Sequence, residues 1–310
     1  METISELESR IRDLINHPRK QHLLLKDRAK WLKLCSSLDV IGDTELAMES
    51  YLQMEEVSDN GEKYLLLYGI LQVLFVQQDA VVHLMESLNL PYSPEQALNQ
   101  IRDIRNNSTG HPTKRGNDKA FNFIIRVSMS YSAFELMTLY SDGRDNFTSV
   151  KAFELINAQR LSLNKALREA VMKLEQEERE HREKHRDKKL AEAFPDSLRY
   201  YYEKIVESIS WDRPNEFGAM HVELVADAMS KFKLRLKERG PLETYDSVTQ
   251  LTALIEYPIS ELKRFFTQPD ISKLNDDDAY IFLVFIRKNI DELLDIAKEI
   301  DEEYESDQIS

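Results

Sequence analysis

A single cysteine, Cys35, stands in a chain of 310 residues. It excludes an internal disulfide framework and a cysteine-based zinc cluster, and it points to a reducing cytoplasm as the compartment. Glycine and proline are scarce as well, with 8 and 9 residues. So few breakers disfavour many short strands and favour long helices. Long apolar runs are missing too. The most apolar one, residues 64–76, is shorter than the about 20 residues that a bilayer-spanning helix needs. The opening METISELESRIRDL is charged and amphipathic and lacks the apolar core of a secretion signal, so a soluble protein without a membrane partner is expected. Positive charge is outnumbered, with 41 Lys and Arg against 55 Asp and Glu, a net −14. That balance argues against a surface uniformly attractive to nucleic acid.

What is present is apolar residue in helical spacing. Hydrophobic residues make up 42% of the chain, enough for a sizeable core in one large or two modest domains. The pattern predicts an all-α protein in three parts. Residues 1–145 form an antiparallel bundle with its core over 60–140, 146–194 a long charged connecting helix, and 195–310 a second α-helical domain. Within the first part, helices are expected over 4–16, 20–38, 44–54 with Asp43 as cap, and 63–88. In NLPYSPEQALNQIRDIRNN, Ser93 is a suitable N-cap, Pro94 suits the first helical position, and Gln96 completes a capping box. That helix should end near Asn106 and Asn107, where Gly110 favours a turn, and His111 is pushed out of helical geometry by Pro112. A further helix is expected over 117–139, with Phe121, Ile124, Ile125 and Ser128 on its inner side. After it, apolar positions from Phe153 to Leu174 lead into EQEEREHREKHRDKK, read as a solvated or domain-bridging helix held by i,i+4 ion pairs. Beyond Pro195, helices are expected in DSLRYYYEKIVESI and over 217–239, 242–256, 259–267 and 276–304.

One stretch departs from the acidic background. From Arg102 to Arg126 lie Arg102, Arg105, Lys114, Arg115, Lys119 and Arg126, against only Asp103 and Asp118. Inside it, Arg105 and His111 are suited to phosphodiester chemistry. A histidine, with an ordinary pKa near 6.5, exchanges a proton at neutral pH. An arginine stays charged and holds a phosphate through two prongs, more tightly as transition-state charge builds. Asn106 and Asn107 add donors. The bland alternative is a loop whose arginine and histidine face water.

Other constellations read more plainly. Gln72, Asp79, His83 and Glu86 form a polar stripe on an apolar helix. There Asp79 either orients Arg105 or His111 or belongs to a hydrogen-bonded, solvent-facing row. Glu177, His181 and His185 have a metal-compatible spacing, but HREKH lacks the glutamate that follows the first histidine of a zinc-protease motif, so a solvated helix is expected. Asp276, Asp277 and Asp278 precede an apolar helix and read as N-terminal charge. Tyr200, Tyr201 and Tyr202 offer either a base-stacking surface or core packing. No metal site, cofactor site or phosphate-binding glycine loop is recognised.

RNNSTGH, residues 105–111, resembles the signature of the HEPN superfamily, an Arg followed after four to six residues by a His, with a polar residue directly after the Arg. Asn106 occupies the polar slot. The family places the motif at the end of the third helix of a four-helix bundle, and YLLLYGILQVLFVQQDAVVHLMESL is similar to the second helix of prokaryotic members. The resemblance covers roughly residues 60–140. It departs from the family pattern upstream, where Gln100-Ile-Arg-Asp103 lacks the acidic-then-lysine order of many members, and Arg102, one turn before Arg105, takes the lysine's place.

What the resemblance implies is a metal-independent endoribonuclease that works as a homodimer, its two motifs facing one cleft. His111 would handle the proton of the 2′-hydroxyl or leaving group, Arg105 the phosphorane charge, and Asn106 would belong to the same catalytic set. Asp79 and Arg102 would support, and Lys114, Arg115 and Lys119 would guide the RNA. The products would carry 2′,3′-cyclic phosphate and 5′-hydroxyl ends. Such enzymes serve as toxins or antiviral effectors and are held by a neutralising or regulatory protein partner. The other outcome the resemblance allows is a non-catalytic interaction or nucleotide-sensing scaffold.

Overall fold

The structure is a computed structural model that describes residues 2–113, 119–240 and 246–305. It is mostly helical and carries one three-stranded antiparallel sheet among the described residues. Two compact units divide the chain. One comprises residues 1–16 and 24–174, the other 17–23 and 175–310.

The first unit is built on α1 (Ile4–Asn16), α3 (Arg28–Leu52) and α4 (Asn60–Ser87). Leu7 and Ile11 of α1, Leu34, Leu38 and Ile41 of α3, and Leu74, Val81 and Leu84 of α4 are all fully buried. Their three- and four-residue spacing puts each set on one helix face. The two helices expected over 20–38 and 44–54 are one from Arg28 onward, because that buried row continues through Gly42 to Met48. Asp27 caps α3, accepting from Lys30 N at 3.0 Å, and a short α2 (Pro18–Leu25) precedes it. Helix α4 is long and apolar enough to cross a membrane, longer than the apolar run suggested. Here Leu67, Leu71, Leu74, Val81 and Leu84 face protein.

Helix α5 (Gln96–Arg105) starts two residues later than expected. Its N-cap position is Glu95, not Ser93, and it makes no side-chain cap, because the Glu95 carboxylate instead accepts from Ser162 Oγ at 2.6 Å and Lys165 Nζ at 3.0 Å. Those bonds hold Glu95 below the usual carboxylate range.

Among the described residues strands replace the expected fourth bundle helix, while the largely helical reading holds. Residues 120–151 form β1 (Ala120–Ile125), β2 (Ala133–Tyr140) and β3 (Asp145–Lys151), paired antiparallel in that order. The deciding pattern has a period of two: Phe134, Leu136 and Thr138 are buried on one face of β2. Gly143, at φ +86°, makes the β2–β3 turn, a conformation that suits glycine. The sheet packs Phe134, Leu136 and Val150 with Met129 against Leu67 and Leu71 of α4 and Ile104 of α5. It therefore forms a wall beside the end of α5.

Helix α6 (Ala152–Arg186) begins after β3 rather than at 148. The second unit takes its C-terminal part with α7 (Leu198–Ile209), α8 (Glu216–Arg239), α9 (Asp246–Thr267) and α10 (Asp276–Glu305) around Phe232, Phe265, Phe266 and Ile290. Residues 242–245 of an expected helix lie outside the described residues. The helices expected over 242–256 and 259–267 are one, running through Pro258. Val248, Ile255, Leu262 and Phe265 continue one buried row across it, which outweighs the hydrogen bond that proline cannot donate. Asp276–Asp278 do occupy the first turn of α10. Its capping box joins Asn275 Oδ1 to Asp278 N at 2.8 Å, and Asp278 Oδ2 to Asn275 N at 3.2 Å.

Candidate functional site

Helix α5 buries Leu98 and Ile101, so Arg102 and Arg105, one turn apart, emerge together on another face. There they meet α4. The guanidinium carbons of Arg102 and Arg105 lie 4.6 and 4.3 Å from the centroid of the Phe75 ring. Each such contact contributes roughly 0.5–1 kcal/mol at a partly exposed site. Gln72 Oε1 accepts from Arg105 Nη2 at 2.8 Å and from Nε at 3.3 Å, and Asn106 Oδ1 accepts from Nη1 at 3.0 Å. Gly110 closes another side: a Cβ there would stand 2.8 Å from Arg105 Nη1 and 3.3 Å from Asn106 Oδ1.

The chain leaves α5 through a single π turn, Asn106–Gly110. Such turns are rare and concentrate at functional sites. Thr109 Oγ1 donates to the Arg105 carbonyl at 3.0 Å, and His111 N donates to the Asn106 carbonyl at 2.7 Å. His111 then adopts φ −139°, ψ 55°, outside helical geometry, with its side chain exposed. The following Pro112 carbonyl accepts from Asn122 N of β1 at 2.9 Å, which ties this corner to the sheet. Arg105 and His111 thus stand at the two ends of one π turn. Among the described residues no hydrogen bond joins their side chains.

Behind Arg102 runs a polar chain that sequence reasoning missed. Arg102 Nε donates to Gln78 Oε1 at 2.9 Å, and Gln78 Nε2 to Gln159 Oε1 of α6 at 2.7 Å. Gln159 Nε2 donates to Gln77 Oε1 at 2.7 Å and to the Leu74 carbonyl at 3.0 Å. Gln77 Nε2 donates to Glu45 Oε1 at 2.7 Å, and Arg160 pairs with Glu45 Oε2 at 2.7 Å. Gln77, Gln78 and Gln159 are fully buried, so each amide is fixed by its neighbours. Two adjacent glutamines at core positions of an apolar helix were the only sequence signal.

The remaining expected residues are placed as follows. Asp79 pairs with Arg102 rather than with Arg105 or His111. Of the polar stripe, Gln72 holds Arg105, His83 is exposed, and Glu86 pairs with Lys33 at 3.0 Å. Lys119 is exposed, whereas Lys114 and Arg115 lie outside the described residues. Tyr202 is buried in the second unit's core.

The charged run is not a solvated helix throughout, which corrects the expectation. Glu178, Arg182 and His185 are buried. Glu178 pairs with Arg19 and, at 3.1 Å, with Arg182. His181 Nε2 lies 3.0 Å from Tyr304 Oη, and burial, with Arg19 and His185 beside it, pushes His181 down to about 4. Among the described residues no group of three side chains is arranged to hold a metal ion.

No family model matches the chain, and no curated protein or solved structure matches it either.

Proposed function

We propose that this chain is a metal-independent endoribonuclease of HEPN type, with Arg105 and His111 as its reacting pair. The carrying observation is the presentation of that pair. Arg105 is held at the end of α5 by Phe75, Gln72 and Asn106, and His111 stands exposed one π turn further on. In the proposed reaction His111 takes the proton of the ribose 2′-hydroxyl. The 2′-oxygen attacks phosphorus, the bond to the 5′-oxygen breaks, and that oxygen takes up a proton from water. Arg105 stabilises the charge on the non-bridging oxygens, and Asn106 fixes the guanidinium. The ends are a 2′,3′-cyclic phosphate and a 5′-hydroxyl. A homodimer would bring two such corners to one cleft, with Lys119 among its phosphate contacts. A role as a toxin or defence effector, a neutralising protein partner and a cytoplasmic setting belong to the same proposal.

A second reading is a non-catalytic interaction or nucleotide-sensing scaffold. The sheet that replaces the fourth helix favours it, because the element that follows the motif in the family is missing. The two readings separate on single Arg105→Ala and His111→Ala variants assayed for RNA cleavage in EDTA with analysis of the ends formed. Loss of a wild-type cleavage that leaves cyclic phosphates supports the enzyme. Cleavage that survives both substitutions, or no cleavage of any of several RNA classes, removes it.

A further inference from the structure

Next to the motif lies a cleft of about 410 Å³ that neither Arg105 nor His111 lines. Its rim comes from α4 and β1. Tyr64 and Tyr68 stand edge to face with centroids 5.7 Å apart, and Phe121 and Phe123, two residues apart on β1, line the cleft as well. Tyr68 is 42% exposed and Phe123 48%, so two large aromatic side chains meet solvent where the core has no use for them. The π turn supplies Asn107 and Ser108, and Pro112 follows His111, so the cleft takes residues from both sides of the proposed catalytic histidine.

Two lining residues carry polar atoms that the fold leaves unsatisfied. Ser108 is 2% exposed and Asn122 5%, and neither Ser108 Oγ nor Asn122 Nδ2 has a hydrogen-bond partner among the described residues. Thr138 Oγ1 donates to Asn122 Oδ1 at 2.8 Å, which fixes the amide and leaves its Nδ2 as the donor. Unpartnered buried polar atoms cost stability, and native proteins keep few of them. Aromatic side chains that share a cleft lining with a donor and a hydroxyl suit a flat, heteroaromatic ring with a polar edge. A hydrocarbon would leave both polar atoms unsatisfied.

We infer that this cleft binds one unpaired nucleobase of a single-stranded RNA, stacked on Tyr68 against the edge of β1 that carries Phe123, with Asn122 donating to a base carbonyl oxygen and Ser108 completing the edge. The inference rests on the ribonuclease reading for its choice of RNA, and it makes the cleft the element that chooses which nucleotide lies beside His111. A base with a carbonyl oxygen next to a ring N–H, as in uracil and guanine, satisfies both groups. Adenine, which lacks the carbonyl, does not.

The test uses the full chain and a fluorescein-labelled single-stranded 2′-O-methyl RNA octamer, which cannot undergo attack by a 2′-hydroxyl. Anisotropy should show an affinity loss of about tenfold or more for Tyr68→Ala and for Phe123→Ala. Both side chains are exposed enough for the fold to survive, as circular dichroism would check. An abasic nucleotide at one position should weaken wild-type binding equally and leave the Tyr68→Ala variant unaffected. Ser108→Ala should narrow the preference for uracil or guanine over adenine at that position. Binding unchanged by both aromatic substitutions, or equal competition by a blunt RNA duplex, overturns the inference. The two proposals fail differently. Unmodified RNA cut at the same site and rate by the Tyr68→Ala variant sinks the base pocket and leaves the enzyme. Position-dependent binding by a chain that cuts nothing retains the pocket and sinks the enzyme.

Discussion

The guanidinium of Arg105 lies over the ring of Phe75, 4.3 Å from its centroid, and Arg102 shares the same ring at 4.6 Å. An aromatic side chain of α4 thereby sets the direction in which two cations of α5 face. Replacing Phe75 with leucine keeps the apolar volume and removes the ring face. Each cation–ring contact is worth roughly 0.5–1 kcal/mol, so under the proposed ribonuclease function RNA cleavage should fall several-fold with little change in the melting temperature. Kinetics alongside thermal denaturation check this, and an unchanged rate would mean that Gln72 and Asn106 hold Arg105 unaided.

Gly110 offers a sharper separation of site from fold. A methyl group there would press on Arg105 Nη1 at 2.8 Å, the free end of a flexible side chain that can swing away. Gly110→Ala should therefore leave stability within about 1 kcal/mol, the ordinary range for a glycine change whose backbone φ suits alanine, while it displaces the guanidinium and lowers the cleavage proposed for this chain. Equal loss of both quantities would show the glycine to be structural only.

The glutamine chain predicts the opposite balance. Gln159→Leu removes the group that satisfies both Gln77 and Gln78 in a dry interior. Leaving a buried amide unpaired costs about 1–3 kcal/mol, so urea denaturation should show a destabilisation of that order. Because Gln78 also accepts from Arg102, Gln78→Leu should add a loss of activity, read as a change in KM or kcat.

Acid should weaken the second unit. His181 is pushed down to about 4 in the fold, first by burial and then by Arg19 and His185, against an ordinary 6.5. Burial lowers His17 and His185 as well. Burial alone would raise Glu178, but its hydrogen bonds with Arg19 and Arg182 outweigh that and hold it lowered. For a histidine lowered by folding, the unfolded chain binds more protons between the two pKa values. The stabilisation is therefore complete above about 6.5 and is lost as pH falls toward 4. Glu178 acts in the same direction lower on the scale. Stability against pH, measured for wild type and His181→Phe, should show a flatter acid limb in the variant, and identical slopes would reject the assignment.

Gly218 tests the packing of the same unit. A Cβ at this position would meet the Phe266 ring at 2.6 Å, and Phe266 is fully buried with no room to turn. Overpacking of this kind costs about 1–3 kcal/mol, so Gly218→Ala should lower the melting temperature while leaving the proposed RNA binding unchanged.

Much of the helical framework was legible because its signal is local. The spacing of Ile4, Leu7, Ile11 and Leu14 defines α1 within a residue, and the run from Phe217 to Arg239 does the same for α8. Placing Arg102 and Arg105 on one face needed only the helical period. The stretch over 120–140 misled for a physical reason. In AFNFIIRVS, short apolar runs fit a period of 3.6 as well as one of two, and the choice lies with pairing partners elsewhere in the chain. Ile124 sits opposite Leu136, and Leu136 opposite Thr148. The charged run misled similarly, since Arg19 and Tyr304, far away in sequence, are what make its inner face a buried one.

The sequence by itself determined a chain with no disulfide, a largely helical fold, and an arginine and a histidine flanking a glycine-ended turn inside a local excess of positive charge. These properties depend on composition and on intervals of a few residues, which any chain carries before it folds. Only the tertiary structure decided that a sheet follows the motif, that Phe75 and Gln72 aim Arg105, that three glutamines link Arg102 to the core, and that Ser108 and Asn122 share a wall. Each of those depends on residues tens of positions apart being brought within contact distance by the burial of α4 between α3 and the sheet. The short-range pattern that encodes each helix carries no record of that long-range choice.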